Sequence, residues 1–165
     1  MIELIDPIIS SNKVDISTGL NVHYLEAYKN NNNQPIALLL HGFPELSFSW
    51  RKIIPILAYE GFRVIAPDMR GYGLTSGGTK KYDTNISEYR LLNLTTDILS
   101  LISALKINKV DLLVGHDAGS SVAGTSALIR PDMFKSVVMM SAPFTGAPNV
   151  DSNLSYQDPI HKDLE

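Results

Sequence analysis

One stretch constrains this chain more than any other. Val110-Asp111-Leu112-Leu113-Val114 reads as an apolar strand, Gly115-His116-Asp117-Ala118-Gly119 as a turn, and Ser120-Ser121-Val122-Ala123 as the start of a small-residue helix. Glycines two positions to either side of Asp117 permit a turn too sharp for residues that carry a Cβ there. Such a turn lifts its middle residue above the edge of a sheet, where its side chain meets solvent and ligand. The residue lifted here is a carboxylate.

The segments on either side supply a setting for that turn. Lys13 to Ser17 and Asn21 to Ala27 alternate apolar and polar residues around Thr18-Gly19, which predicts a hairpin with Asn21 and His23 facing outward. After the polar loop Asn30 to Pro35, Ile36-Ala37-Leu38-Leu39-Leu40 is continuously apolar, as a strand buried on both faces must be. His41-Gly42-Phe43-Pro44-Glu45 closes it. Ser49 to Tyr59 then places Trp50, Ile53, Ile54 and Leu57 at helical spacing, with Pro55 inside the pattern.

Phe62 to Ala66 is a further buried strand, ended by Pro67-Asp68-Met69-Arg70-Gly71-Tyr72-Gly73, and Gly71 to Asp83 reads as a long surface loop. Leu91, Leu94, Ile98, Leu101, Ile102 and Leu105 form one stripe of an amphipathic helix beginning at Ser87 or Glu88. Val110 to Val114 is a strand, Ala118 to Arg130 a helix stopped by Pro131, and Lys135 to Met140 a strand before Ser141-Ala142-Pro143. Strands alternating with helices from Ile36 onward predict an α/β fold, a mostly parallel sheet with helices on both faces, entered by an antiparallel hairpin. Ligands of such sheets bind at the carboxyl ends of the strands. Four segments, at His41, Asp68, Gly115 and Ser141, converge there.

Composition narrows the chemistry. The chain has 165 residues, 44% hydrophobic and 19% charged, with a net charge of −3 and no basic run, so it reads as one globular domain with no nucleic-acid partner. No stretch approaches the roughly 20 apolar residues of a membrane span, and the acids and proline of the first seven residues do not resemble a secretion signal. Zero cysteines exclude disulfides and thiol nucleophiles, and are compatible with a cytoplasmic protein. No cofactor or metal is called for.

At neutral pH an aspartate, with a reference pKa of about 3.9, is already ionised. Asp117 therefore needs no base to attack an electrophilic carbon. The product is a covalent ester, which water must later open with the help of a general base. Opening it develops an oxyanion, for which the backbone N–H groups of Phe43 and Ala118 are the candidate donors.

These residues together resemble the α/β-hydrolase fold, specifically its epoxide hydrolases. The motifs that carry the resemblance are His41 to Glu45, Ser49-Trp50-Arg51, Pro67 to Gly73 and Gly115 to Gly119, with Ser141-Ala142-Pro143-Phe144 where that family leaves the sheet for its lid. The resemblance implies that Asp117 is the nucleophile, that Phe43 and Ala118 form the oxyanion hole, and that the Phe43–Pro44 bond is cis. His41, Gly42, Pro44, His116 and Trp50 are then expected to line the pocket, and a small apolar epoxide to be the substrate. Haloalkane dehalogenases share the aspartate but hold halide with a tryptophan after the nucleophile and often an asparagine in the first turn. This chain has Ala118 and Phe43 there. Fluoroacetate dehalogenases place arginines at and beyond the same position, where this chain has Ala118, Ser120, Ser121 and Val122. A dehalogenase core is the alternative within enzymes, and a non-catalytic binding or assembly fragment the alternative outside them.

The same resemblance implies an incomplete core of about six of eight strands over residues 1–143, with the start of a lid over 144–165. The family's ester-opening histidine, its orienting acid and its lid tyrosines have no matching positions. His23 is expected on the hairpin surface, and His41 and His116 in structural roles. His161, Asp151, Asp158 and Tyr156 fall in the early lid, while Asp68 and Arg70 are expected to brace their loop. Such a fragment is expected to leave the strand of Lys135 to Met140 as an open edge and to self-associate.

Overall fold

The computed structural model describes residues 6–29, 34–78 and 86–142. The expected lid segment, with Tyr156, Asp151, Asp158 and His161, lies outside the described residues. Among the described residues six strands form one mixed sheet: β1 (Ser10–Asp15), β2 (Asn21–Ala27), β3 (Ile36–Leu40), β4 (Arg63–Pro67), β5 (Leu112–His116) and β6 (Val137–Met140). Their spatial order is β1-β2-β4-β3-β5-β6. β1 and β2 pair antiparallel, β2 joins β4 antiparallel, and β4, β3, β5 and β6 run parallel.

The apolar run of β3 explains why it sits in the middle. Leu38 and Leu40 face a cluster with Ile98, Ile102, Leu113, Val122 and Ala123, while Ala37 and Leu39 face the opposite cluster with Trp50, Ile54 and Ala58. The helices α1 (Ile53–Tyr59), α2 (Leu91–Ala104) and α3 (Ala118–Ile129) thus cover both faces, α1 on one and α2 with α3 on the other. Each buried leucine contributes about 1.5–3 kcal/mol relative to exposure. From β3 the chain passes through α1 to β4 on one side, then through α2 to β5 on the other. The loops after β3 and β5 therefore leave neighbouring strand ends at the point where the winding reverses, which is where such sheets form a crevice.

Several boundaries depart from the sequence expectation for local reasons. β1 lies at Ser10–Asp15, earlier than Lys13 to Ser17, because the ladder ends at the Asp15–Asn21 pair and Ile16 closes the turn by bonding Leu20 and Gly19. The helix expected from Ser49 to Tyr59 is a 3-10 turn, Ser47–Lys52, followed by α1. Pro55 occupies the first turn of α1, where its missing N–H has no intrahelical acceptor to satisfy. A second 3-10 turn, Ile86–Tyr89, precedes α2. β5 begins at Leu112, with Val110 held separately in a bridge to Phe134, and β6 begins at Val137.

The helix α3 approaches the sheet closely because its first residues are small. A Cβ on Gly119 would lie 2.4 Å from the Leu40 carbonyl oxygen and 2.5 Å from that of His41. Both are backbone atoms of the central strand and its turn, so they cannot step aside. Gly119→Ala is expected to lower stability by ~3 kcal/mol, as overpacking of a rigid contact does. The denaturant midpoint measures it, and an unchanged midpoint refutes the close approach.

Candidate active site

Asp117 stands between the end of β5 and α3 with φ 50° and ψ −120°. This is the left-handed side of φ that a residue with a Cβ adopts only when its surroundings impose it. Three bonds do so: the Asp117 N–H donates to Met140 O at 2.9 Å, its carbonyl accepts from the Ser120 N–H at 2.9 Å, and its Oδ1 accepts from the Phe43 N–H at 2.9 Å. The glycines at 115 and 119 act through space rather than through their own dihedrals. A Cβ on Gly115 would meet Gly119 O at 2.4 Å, and one on Gly42 would meet the Asp117 Cβ at 2.6 Å.

The Phe43 contact is the centre of the geometry. The His41-Gly42-Phe43-Pro44 turn, with a cis bond at Phe43–Pro44, carries the Phe43 amide to the carboxylate from the neighbouring strand end. The Asp117 carboxyl is held below the usual carboxylate range, first by that N–H and next by the backbone N–H of Ala118. Both donors favour the charged form, so Asp117 remains ionised further into acid than a free aspartate. The Phe43 ring is 69% exposed and offers an apolar surface beside the carboxylate.

Two residues without an assigned role in the sequence reading hold this arrangement. Glu45 Oε2 accepts from the Gly42 N–H at 3.2 Å and lies 2.9 Å from His116 Nδ1, tying the turn after β3 to the residue before Asp117. The His116 ring is the main cause of a lowered Glu45 pKa. Ser120 is fully buried; its hydroxyl lies 2.7 Å from Gly115 O and 2.8 Å from Met140 O and accepts from the Met140 N–H at 3.0 Å. It locks α3 to β5 and β6. For Glu45 the only signal in the sequence is an acid three residues after Gly42, and for Ser120 a hydroxyl three residues after Asp117; neither spacing names its long-range partner.

Gly42, Phe43, Pro44, His116, Asp117 and Ala118 are together at the strand ends, with Phe43, Pro44 and Ala118 exposed and His116 and Asp117 half-buried. Two expected pocket residues are elsewhere. His41 is 0% exposed: its Nδ1–H donates to Gly42 O at 2.9 Å and its Nε2 accepts from the Met69 N–H at 3.0 Å. Burial pushes its pKa down, and it serves as a neutral brace with no face for a ligand. Trp50 is buried in the apolar cluster with Leu39, Ile54 and Val64, because its position in the 3-10 turn points it at the sheet.

His23 is also corrected. It is buried on β2, not on the hairpin surface, because Asp68 supplies a carboxylate for its ring. Asp68 accepts from the N–H groups of Ser47 and Leu74 as well, and these bonds outweigh burial to hold its pKa below the usual range. Arg70 meets Asp97 through Nε at 2.7 Å and Nη2 at 2.8 Å. Asp68 and Arg70 thus brace their loop.

With this site and sheet in view, residues 35–161 match the model of the alpha/beta hydrolase fold, and the chain belongs to that family. It is 43% identical over 131 residues to an epoxide hydrolase of Caballeronia sordidicola, and 39% identical over 128 residues to epoxide hydrolase B of Mycobacterium tuberculosis. Those matches cover 79% and 78% of this chain but only 37% and 34% of the relatives' lengths. Among solved structures, epoxide hydrolase VrEH1 from Vigna radiata superposes with a TM-score of 0.74 at 39% identity, over 83% of this chain and 39% of that one. Potato epoxide hydrolase I gives a TM-score of 0.75 at 37% identity, over 84% and 41%. The chain therefore spans well under half the length of these relatives.

Proposed function

We propose that this chain carries the nucleophile half of an epoxide hydrolase. The observation that supports this most directly is the 2.9 Å bond from the Phe43 N–H to Asp117 Oδ1. The other carboxylate oxygen attacks a ring carbon of the epoxide, the C–O bond of the ring breaks, the released ring oxygen takes a proton from water, and a hydroxyalkyl ester forms on Asp117. Oδ1 becomes the ester carbonyl oxygen. When water adds to that ester, the negative charge develops on Oδ1, which has the Phe43 donor at the distance an oxyanion requires, while the Ala118 N–H also bonds this carboxyl group.

The same turn argues against a dehalogenase. No side-chain N–H stands at 43 or 118 to hold a leaving halide, and the exposed Phe43 ring suits an apolar substrate. Parallel incubation with a terminal epoxide and a matched alkyl chloride tests the assignment. Ester on Asp117 from the epoxide, without chloride release, is the expected result; faster reaction with the chloride overturns it.

A further inference from the structure

A second group of polar side chains lies away from Asp117, where the hairpin meets the loop after β4. His23 Nε2 is 2.8 Å from Ser11 Oγ, and its Nδ1 is 2.7 Å from Asp68 Oδ2. His23 and Asp68 are buried, with side chains 7% and 3% exposed, whereas Ser11 is exposed on β1. Asp68 Oδ2 also accepts the Leu74 N–H and Oδ1 the Ser47 N–H, so this carboxylate is an acceptor and the His23 Nδ1 must carry the proton. In the neutral ring that leaves Nε2 free to accept from the Ser11 hydroxyl.

The other described histidines are arranged differently. His41 has Nδ1 on Gly42 O and Nε2 on the Met69 N–H, and His116 has Nδ1 on Glu45. Among the described residues, His23 is the histidine with a hydroxyl contact on one ring nitrogen and a carboxylate on the other.

The strand ladder adds a backbone donor. Bonded pairs alternate along an antiparallel pair, and Ile16 bonds Leu20, so Val14–Val22 and Asn12–Tyr24 are bonded positions. Ser11, opposite Leu25, falls on a non-bonded position, and its N–H points from the outermost strand toward the outer edge of the sheet.

We infer that Ser11, His23 and Asp68 form a second nucleophilic site, separate from Asp117, which accepts an acyl or phosphonyl group from an activated donor. Ser11 Oγ attacks the carbonyl carbon or phosphorus, its proton passes to His23 Nε2, and Asp68 holds the imidazole in the required tautomer. With an alkyl fluorophosphonate the Oγ–P bond forms as the P–F bond breaks, fluoride leaves, and His23 releases the proton to water. With an activated ester the leaving alcohol takes that proton.

The experiment is fluorophosphonate labelling of the folded chain, mapped by tandem mass spectrometry, with Ser10 and Ser17 as internal references. Ser11 is expected to react about 100-fold faster than either, the scale of positioned general-base assistance. His23→Gln is expected to bring Ser11 down to the reference rate. Because that buried substitution can unfold the chain, the wild-type protein in urea provides the second measurement, and there the three serines should react alike. Equal labelling of Ser10, Ser11 and Ser17 in the folded wild-type chain overturns the site.

Discussion

Incubated with excess terminal epoxide, the chain is expected to accumulate one equivalent of hydroxyalkyl ester on Asp117 and to release no diol from it. Attack needs an ionised carboxylate in reach of the substrate and a proton for the ring oxygen, which water supplies; Asp117 is both ionised and half-exposed. Opening the ester needs a base. Among the described residues, His23 faces Ser11 and Asp68, His41 is buried with both nitrogens bonded, and His116 is tied to Glu45. Intact-mass measurement followed by peptide mapping reads the adduct.

The pH dependence follows from the direction of the Asp117 shift. Its folded pKa lies below the ordinary value, so the reactive anion persists as pH falls past about 3.9 and is lost only further into acid. Ester formation should therefore be level through the neutral range for as long as the fold survives. Asp117→Asn removes the anion and should cut formation by on the order of 10⁴-fold or more, as loss of a covalent nucleophile does. Sustained diol release, or ester spread evenly over the exposed carboxylates, would refute this account.

The second large effect expected is self-association through β6. Among the described residues this strand is the outer member of the parallel side, paired with β5 along one edge, and Val137 and Val138 are 37% and 43% exposed. Leu128 and Ile129 at the end of α3 add further exposed apolar surface. An open strand edge with exposed β-branched residues is a template for pairing with another chain. Sedimentation should show oligomers at micromolar concentration, and Val138→Lys should shift the distribution toward monomer, since a charged side chain on an edge opposes pairing. A monodisperse wild-type monomer with a cooperative melt would show that the edge is protected.

Much of the architecture was legible because its signals are local. The continuous apolar runs of β3 and β4, the stripe of α2 and the Gly-x-Asp-x-Gly turn each state their structure within a few residues, and the predicted mixed α/β sheet follows from their order. Where the reading missed, a distant partner decided. His23 follows the alternation of a surface hairpin, yet it is buried because Asp68, 45 positions later, meets its ring. His41 and Trp50 belong to site motifs by position but to the core by packing.

By itself the sequence determined that a carboxylate would stand on a sharp strand-to-helix turn, because only glycines at 115 and 119 leave room for the backbone there. It could not determine what that carboxylate would face. The strand order places β3 beside β5, and only that adjacency brings the Phe43 amide, 74 positions away in the chain, to Asp117 Oδ1. Turn geometry is a property of neighbouring residues, whereas a donor from another strand end is held in place only by the core that the two strands share.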